Sequence, residues 1–177
     1  EVEIKGFYDS LRKGSNAKTS AVTPGFFEEH MRATLESGKD ILYIGFSSGL
    51  SVTYNNGVLI ADELKAEFPE RKILYVDTTS GSGGQALMVY HAAKMKEQGA
   101  SMEAIKTEIE ALRDYVHHQV TVEDLFFLKR GGRIDAKSAI VGTMLKIKPI
   151  INVDVNGKLS SVAKVRGRKA SMTELVN

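Results

Sequence analysis

Two segments run from a short apolar stretch into a corner of serine and glycine that opens a helical pattern. They constrain the fold more than any other feature. The first is Ile41-Leu-Tyr-Ile-Gly-Phe-Ser47-Ser48-Gly49-Leu50-Ser51; the second is Ile73-Leu-Tyr-Val-Asp77-Thr-Thr-Ser80-Gly-Ser82-Gly-Gly84. A short apolar run without polar alternation is what a strand covered on both faces requires. Hydroxyl and glycine residues at its end leave free N–H groups at a helix N-terminus, a position that attracts anions.

Helical patterns alternate with these strands. Val2 to Lys13 reads as a weak amphipathic helix with Ile4, Phe7, Tyr8 and Leu11 on one stripe, followed by a polar link over Gly14 to Ser20. Thr23-Pro24 is a cap with proline at the first helical position. Phe26, Phe27, His30, Met31 and Leu35 form the expected buried stripe, and Ser37-Gly38 ends the helix. Leu50 to Phe68 reads as a helix with Leu59, Ile60 and Leu64 inward. Gln85 to Gln98 is another helix, stopped by Gly99; Ser101 caps a further one that runs to about His117; and Val120 to Phe127 reads as extended.

Such alternation predicts an α/β fold, a parallel sheet flanked by helices. After Gly131-Gly132 the texture changes. Ala136 to Leu145 reads as a short helix, and Ile147 to Val155 with Leu159 to Val165 as a hairpin around Asn156-Gly157. The expected organisation is an α/β domain over residues 1–133, carrying the serine corner, and the start of a smaller α+β domain over 134–177.

Composition narrows function. The 177 residues are 42% hydrophobic, enough for a sizeable core. With 24 basic and 22 acidic residues the net charge is +2, which makes no case for nucleic acid or a membrane surface as partner. There is no cysteine, which excludes disulfides, thiolate metal sites and cysteine nucleophiles and suits a reducing, cytoplasmic setting. No apolar run approaches the roughly 18 residues of a membrane span. The four histidines, His30, His91, His117 and His118, show no metal-ligand spacing, and no cofactor is implied.

Gly45-Phe-Ser47-Ser-Gly49 matches G-x-S-x-G, the nucleophile elbow of serine hydrolases, with Asp77, Asp124, His117 and His118 nominally available as partners. The two histidines fall at a helix end rather than on a loop after a late strand, so an esterase-like hydrolase with Ser47 as nucleophile is the runner-up reading. Gly81-Ser-Gly83-Gly-Gln-Ala86 matches G-x-G-x-x-A, yet a second helix follows where a dinucleotide fold needs a strand, and no Walker lysine is present.

Five motifs in order carry a resemblance. Thr19-Ser20-Ala21-Val22-Thr23-Pro24 is similar to T-S-Q-P-S-P. Ser47-Ser48-Gly49-Leu50-Ser51-Val52-Thr53-Tyr54 is similar to S-S-x-L-S-G-T-Y. Leu128-Lys-Arg130-Gly-Gly-Arg133-Ile134 matches L-x-R-G-G-R-I, Lys148-Pro149-Ile150 matches K-P-I, and Val165-Arg166-Gly-Arg168-Lys169 matches V-R-G-R-K. Together they resemble the DegV family, the fatty-acid-binding proteins that include the binding subunits of bacterial fatty acid kinase.

The resemblance implies a non-catalytic two-domain α/β protein that holds one long-chain fatty acid and presents it to a fatty acid kinase catalytic subunit, which phosphorylates the carboxylate. It implies carboxylate contacts from Thr19 and Ser48, with Ser20, Ser47 and Ser51 nearby, and kinase docking through Arg133, Arg166 and Arg168. Ala21 and Val52 depart from the family's Gln and Gly. The family's opening strand, with its aspartate-serine pair, would precede Glu1, and a histidine-bearing segment would follow Asn177. The chain is therefore expected to be a fragment. Apolar residues available to an acyl chain are Phe26, Phe27, Phe46, Leu50, Phe126, Phe127, Met144, Leu145 and Ile147.

Overall fold

The computed structural model describes residues 3–123, 125–134 and 147–176. Strands β1 (Ile41–Gly45) and β2 (Ile73–Asp77) pair in parallel, Ile41 opposite Ile73 and Gly45 opposite Asp77. Side chains alternate across a strand, and here they divide between two helical layers. Ile41, Tyr43, Ile73 and Tyr75 pack with helices α2 (Pro24–Glu36) and α3 (Thr53–Glu67), through Met31, Leu35, Ile60, Ala61 and Leu64. Leu42, Ile44 and Val76 pack on the opposite face with α4 (Ser82–Glu97) and α5 (Met102–Leu112), through Met88, Ala92, Ile105 and Ile109. The predicted parallel sheet flanked by helices is therefore present.

The caps follow the chemistry of their residues. Thr23 and Ser101 each accept from the backbone N–H three residues on, Phe26 at 3.4 Å and Ala104 at 3.2 Å. Helix α1 (Ile4–Arg12) forms as the spacing predicts, but it buries none of its residues.

Several boundaries differ from the expectation. The helix after the first serine corner starts at Thr53 rather than Leu50, because residues 47–51 turn back on themselves through Leu50 and Ser51 N–H bonds to the Ser47 carbonyl. Its inward stripe is Gly57, Ile60, Ala61 and Leu64, at helical spacing, which leaves Leu59 on the outer side and 52% exposed. Phe26 is likewise exposed, stacked on His30 at 4.0 Å between ring centroids. Helix α5 stops at Leu112 and tightens into a 3₁₀ turn, Arg113–Tyr115, short of His117. Among the described residues of the segment expected to be extended, only Val120 bridges to a strand, and a helical turn α6 (Phe126–Arg130) follows.

A smaller unit completes the fold. Strands β3 (Ile147–Val153) and β4 (Leu159–Arg166) form the predicted antiparallel hairpin, with a bulge between Ile150 and Ile151, and helix α7 (Arg168–Glu174) follows. Ile151, Leu125 and Ile134 make its buried core. Lys148 is buried, donating to the Glu123 carbonyl at 2.9 Å and to its carboxylate at 2.5 Å, which straps the preceding segment to β3. The expected helix over Ala136 to Leu145, with Met144 and Leu145, lies outside the described residues.

Leu64 is 1% exposed at the centre of the first core. Leu64→Ala should lower unfolding stability by about 2–5 kcal/mol, read from urea midpoints.

Candidate functional site

The two serine corners are tied together at the ends of β1 and β2. Ser47 N–H donates to the Ser80 carbonyl at 2.8 Å, and Thr78 Oγ1 donates to the Gly45 carbonyl at 2.7 Å. Thr78, Ser80 and Ser47 are all buried, so these polar groups are satisfied by each other rather than by water. Strain collects at the second corner, where Thr79 and Ser82 hold φ of 47° and 49°.

Ser47 is fully buried, and its hydroxyl donates to the carbonyl of Gly157 in the β3–β4 turn at 2.7 Å. That turn fits the corner closely. A Cβ on Gly157, whose φ is +70°, would stand 2.1 Å from Ser47 Oγ; one on Gly49 would stand 2.4 Å from the Asn156 carbonyl oxygen. Both positions therefore require glycine, the first for conformation as well as space. A nucleophile must be exposed at its elbow. Ser47 is closed off by the hairpin, no histidine among the described residues bonds to it, and the hydrolase reading is withdrawn.

Asp77 also has another job. Its carboxylate accepts from the N–H groups of Thr79 at 2.9 Å and Ser48 at 3.3 Å, bridging the two corners. The corner thus carries an internal anion. Burial, and secondarily the Asp77 charge, pushes the phenols of Tyr43 and Tyr54 up to about 12. His117 and His118 lie after the 3₁₀ turn; His118 stands against Gly84, on the other corner, and Asp124 is outside the described residues.

The open face of the first corner is a cleft of about 380 Å³ lined by Thr19, Ser20, Ser51, Thr53, Phe46, Leu50, Leu159 and Arg133. Thr19 and Ser20, on the segment before α2, are thus brought to Ser51 at the start of α3. The cap residue of α3, Val52, offers no side chain to the helix N-terminus; Ser51 Oγ accepts from Thr53 N–H at 3.2 Å instead. One part of the lining is hydroxyl-rich, another apolar, and Arg133 adds a cation. Ser48 is exposed and faces an adjoining depression of about 380 Å³ with Ala21, Gly49, Leu50, Ser51, Val52 and Arg133. Ser51 and Arg133 line both. Arg166 and Arg168 are exposed at the end of β4 and the start of α7.

Two residues that hold the cleft were not singled out from sequence. Thr53 Oγ1 accepts from Val22 N–H at 3.1 Å, and Asn56 Nδ2 donates to the Val22 carbonyl at 2.8 Å. No sequence signal marks Asn56; Thr53 lies within a motif already quoted.

The chain and its fold have known relatives. The family model described as "Uncharacterised protein, DegV family" matches residues 1–177. The chain belongs to the DegV family. A DegV domain-containing protein of Clostridium perfringens is 41% identical over 175 residues, covering 99% of this chain and 60% of the relative. Among solved structures, a fatty-acid-binding DegV family protein of Thermus thermophilus matches with TM-score 0.85 and 32% identity, over 99% of this chain and 61% of that one. A DegV lipid-binding protein of Thermotoga maritima matches with TM-score 0.82 and 30% identity, over 98% and 59%. The chain thus spans about 60% of the length of these DegV relatives. No helix among its described residues is long and apolar enough to cross a membrane.

Two outcomes test the corner. Gly157→Ala should cost about 1–3 kcal/mol of stability from the left-handed backbone alone, with more from the displaced Ser47 hydroxyl, seen as a lowered melting temperature. An unfolded chain loses its tyrosine protons near pH 10, ahead of Tyr43 and Tyr54 in the fold. Stability from these two phenols should therefore be complete below about pH 10 and fall between pH 10 and 12, with late ionisation visible in absorbance at 295 nm.

Proposed function

We propose that this protein binds a long-chain fatty acid as a non-catalytic carrier, its carboxylate held in the cleft by the hydroxyls of Thr19, Ser20 and Ser51. One observation carries the reading: two hydroxyl residues from before α2 converge with Ser51 and Thr53 on a cleft whose lining also includes apolar Phe46, Leu50 and Leu159 and the cationic Arg133. A carboxylate takes several charge-assisted hydrogen bonds, each contributing about 1.5–3 kcal/mol. An acyl chain gains about 0.8 kcal/mol per buried CH₂. The binding of fatty acid by the Thermus relative and of lipid by the Thermotoga relative supports the same assignment. The withdrawal of Ser47 behind the hairpin turn fits a carrier better than a hydrolase.

In this reading Ser48 belongs to the rim, since its N–H already serves Asp77 and it lines the adjoining depression. Ser47 shapes the corner instead of touching ligand. The proposal extends to a partner: a fatty acid kinase catalytic subunit would receive the carboxylate, docking on the exposed Arg133, Arg166 and Arg168. A domain division at residues 133 and 134 is also proposed, although the small core around Ile151 draws on Leu125 from before that boundary as well as on Ile134.

Mass spectrometry of lipid extracted from the purified protein should recover fatty acid. Thr19→Ala and Ser51→Ala should each weaken binding about 10- to 100-fold, as loss of a charge-assisted bond implies, while Ser48→Ala should have the smaller effect. Purification without fatty acid, together with failure to take up added palmitic acid, would sink the reading.

A further inference from the structure

Residues 16–21, which carry Thr19 and Ser20, make no main-chain hydrogen bonds among the described residues, and the Thr19 and Ser20 side chains have none either. This strap is fastened at its ends. Arg130 donates to Asn16 Oδ1 at 3.3 Å at one end. At the other, Val22 is held twice by the first turn of α3, through Thr53 Oγ1 at 3.1 Å and Asn56 Nδ2 at 2.8 Å. Thr53 Oγ1 also lies 2.9 Å from Ser51 Oγ, and Ser51 Oγ accepts from Thr53 N–H.

The protons can be counted. The Ser51–Thr53 pair owns two hydroxyl protons. It accepts two backbone N–H bonds, from Val22 and Thr53, and spends one of its own protons on the bond between the two oxygens. Whichever oxygen donates that bond, one proton remains, and both residues line the cleft. With the N–H groups filling acceptor positions, the unspent group is a donor.

We infer that Thr53 and Asn56 are positioning residues, stapling the strap to α3 and setting the Ser51–Thr53 pair as a donor aimed at an anionic headgroup. The inference rests on the fatty-acid reading above and specifies its headgroup selectivity. The Asn56 side chain hydrogen-bonds to the Val22 end of the strap and not to the Ser51–Thr53 pair, so its effect is on where Thr19 and Ser20 stand. Thr53 acts on both the strap and the proton count. A strap fixed before binding loses less freedom when the ligand arrives, which raises affinity.

The test compares palmitic acid with 1-hexadecanol, which shares the acyl chain but not the charge, on the delipidated protein by isothermal titration. Thr53→Val should lower palmitate affinity about tenfold or more while changing hexadecanol affinity less, so that the acid-to-alcohol ratio falls. Thr53→Ser should restore the ratio. Asn56→Ala should weaken palmitate binding several-fold and speed hydrogen exchange at the Val22 amide, with the melting temperature little changed. An unaltered ratio in a folded Thr53→Val variant, or unaltered palmitate binding in Asn56→Ala, overturns the inference. If Thr53→Val does not fold, Asn56→Ala decides alone. Failure of the unsubstituted protein to bind palmitate at all would instead remove the fatty-acid reading itself.

Discussion

The contact between the Ser47 hydroxyl and the Gly157 carbonyl sits where the parallel sheet, the serine corner and the hairpin meet. It turns the serine that ends β1 into a seat for a turn arriving from the other unit, and the seat is made possible by what is missing from Gly49 and Gly157. Because a buried carbonyl without a donor costs about 1–3 kcal/mol, the hydroxyl and the turn hold one another in place. Leu159, one of the cleft's apolar walls, lies two residues beyond that turn. The shape of the cleft therefore depends on a contact outside it.

The same economy governs charge. A pair of serine-rich corners on parallel strands gathers N–H groups and hydroxyls, and an unassigned collection of donors would take up any anion. Asp77 removes that ambiguity by occupying the amides of Ser48 and Thr79. The Thr78 hydroxyl is spent on the Gly45 carbonyl, and the Ser80 N–H on Thr78 Oγ1. Hydroxyl donors with no acceptor among the described residues include Thr19 and Ser20, which share the cleft with the Ser51–Thr53 pair and with apolar Phe46, Leu50 and Leu159. Such a division, with one end able to donate and the other unable to, is what an amphipathic ligand with an anionic end needs.

The strands and their corners were legible because each apolar run is short, bounded and followed by small residues, and the hairpin because Asn156-Gly157 admits a tight turn. The convergence of Thr19 with the serine corner was legible only through resemblance, since nothing local in Lys18-Thr19-Ser20 points to α3. The runner-up reading of Ser47 as a nucleophile fails for a physical reason: G-x-S-x-G describes a local backbone, whereas burial of its serine is decided by a turn 110 residues later. Leu59 was misjudged because α3 buries a narrow stripe around Gly57, Ile60, Ala61 and Leu64, and a hydrophobic neighbour one position away looks equivalent in sequence. Asn56 gave no warning at all, since a helical asparagine bonding a distant carbonyl is indistinguishable in sequence from one facing water.

The distance along the chain between Ser47 and Gly157 also bears on assembly. The core between the sheet and α2–α3 is built within residues 27 to 75, and the hairpin closes around its own turn, so each half can organise from local contacts. The seat joins them only when a loop of 110 residues is closed, an entropic cost that grows slowly with length but yields nothing until both surfaces exist. Fit at the seat is thus a check on the two halves at once. A misregistered hairpin would bring a side chain where only glycine is accommodated, and the cleft would stay unwalled.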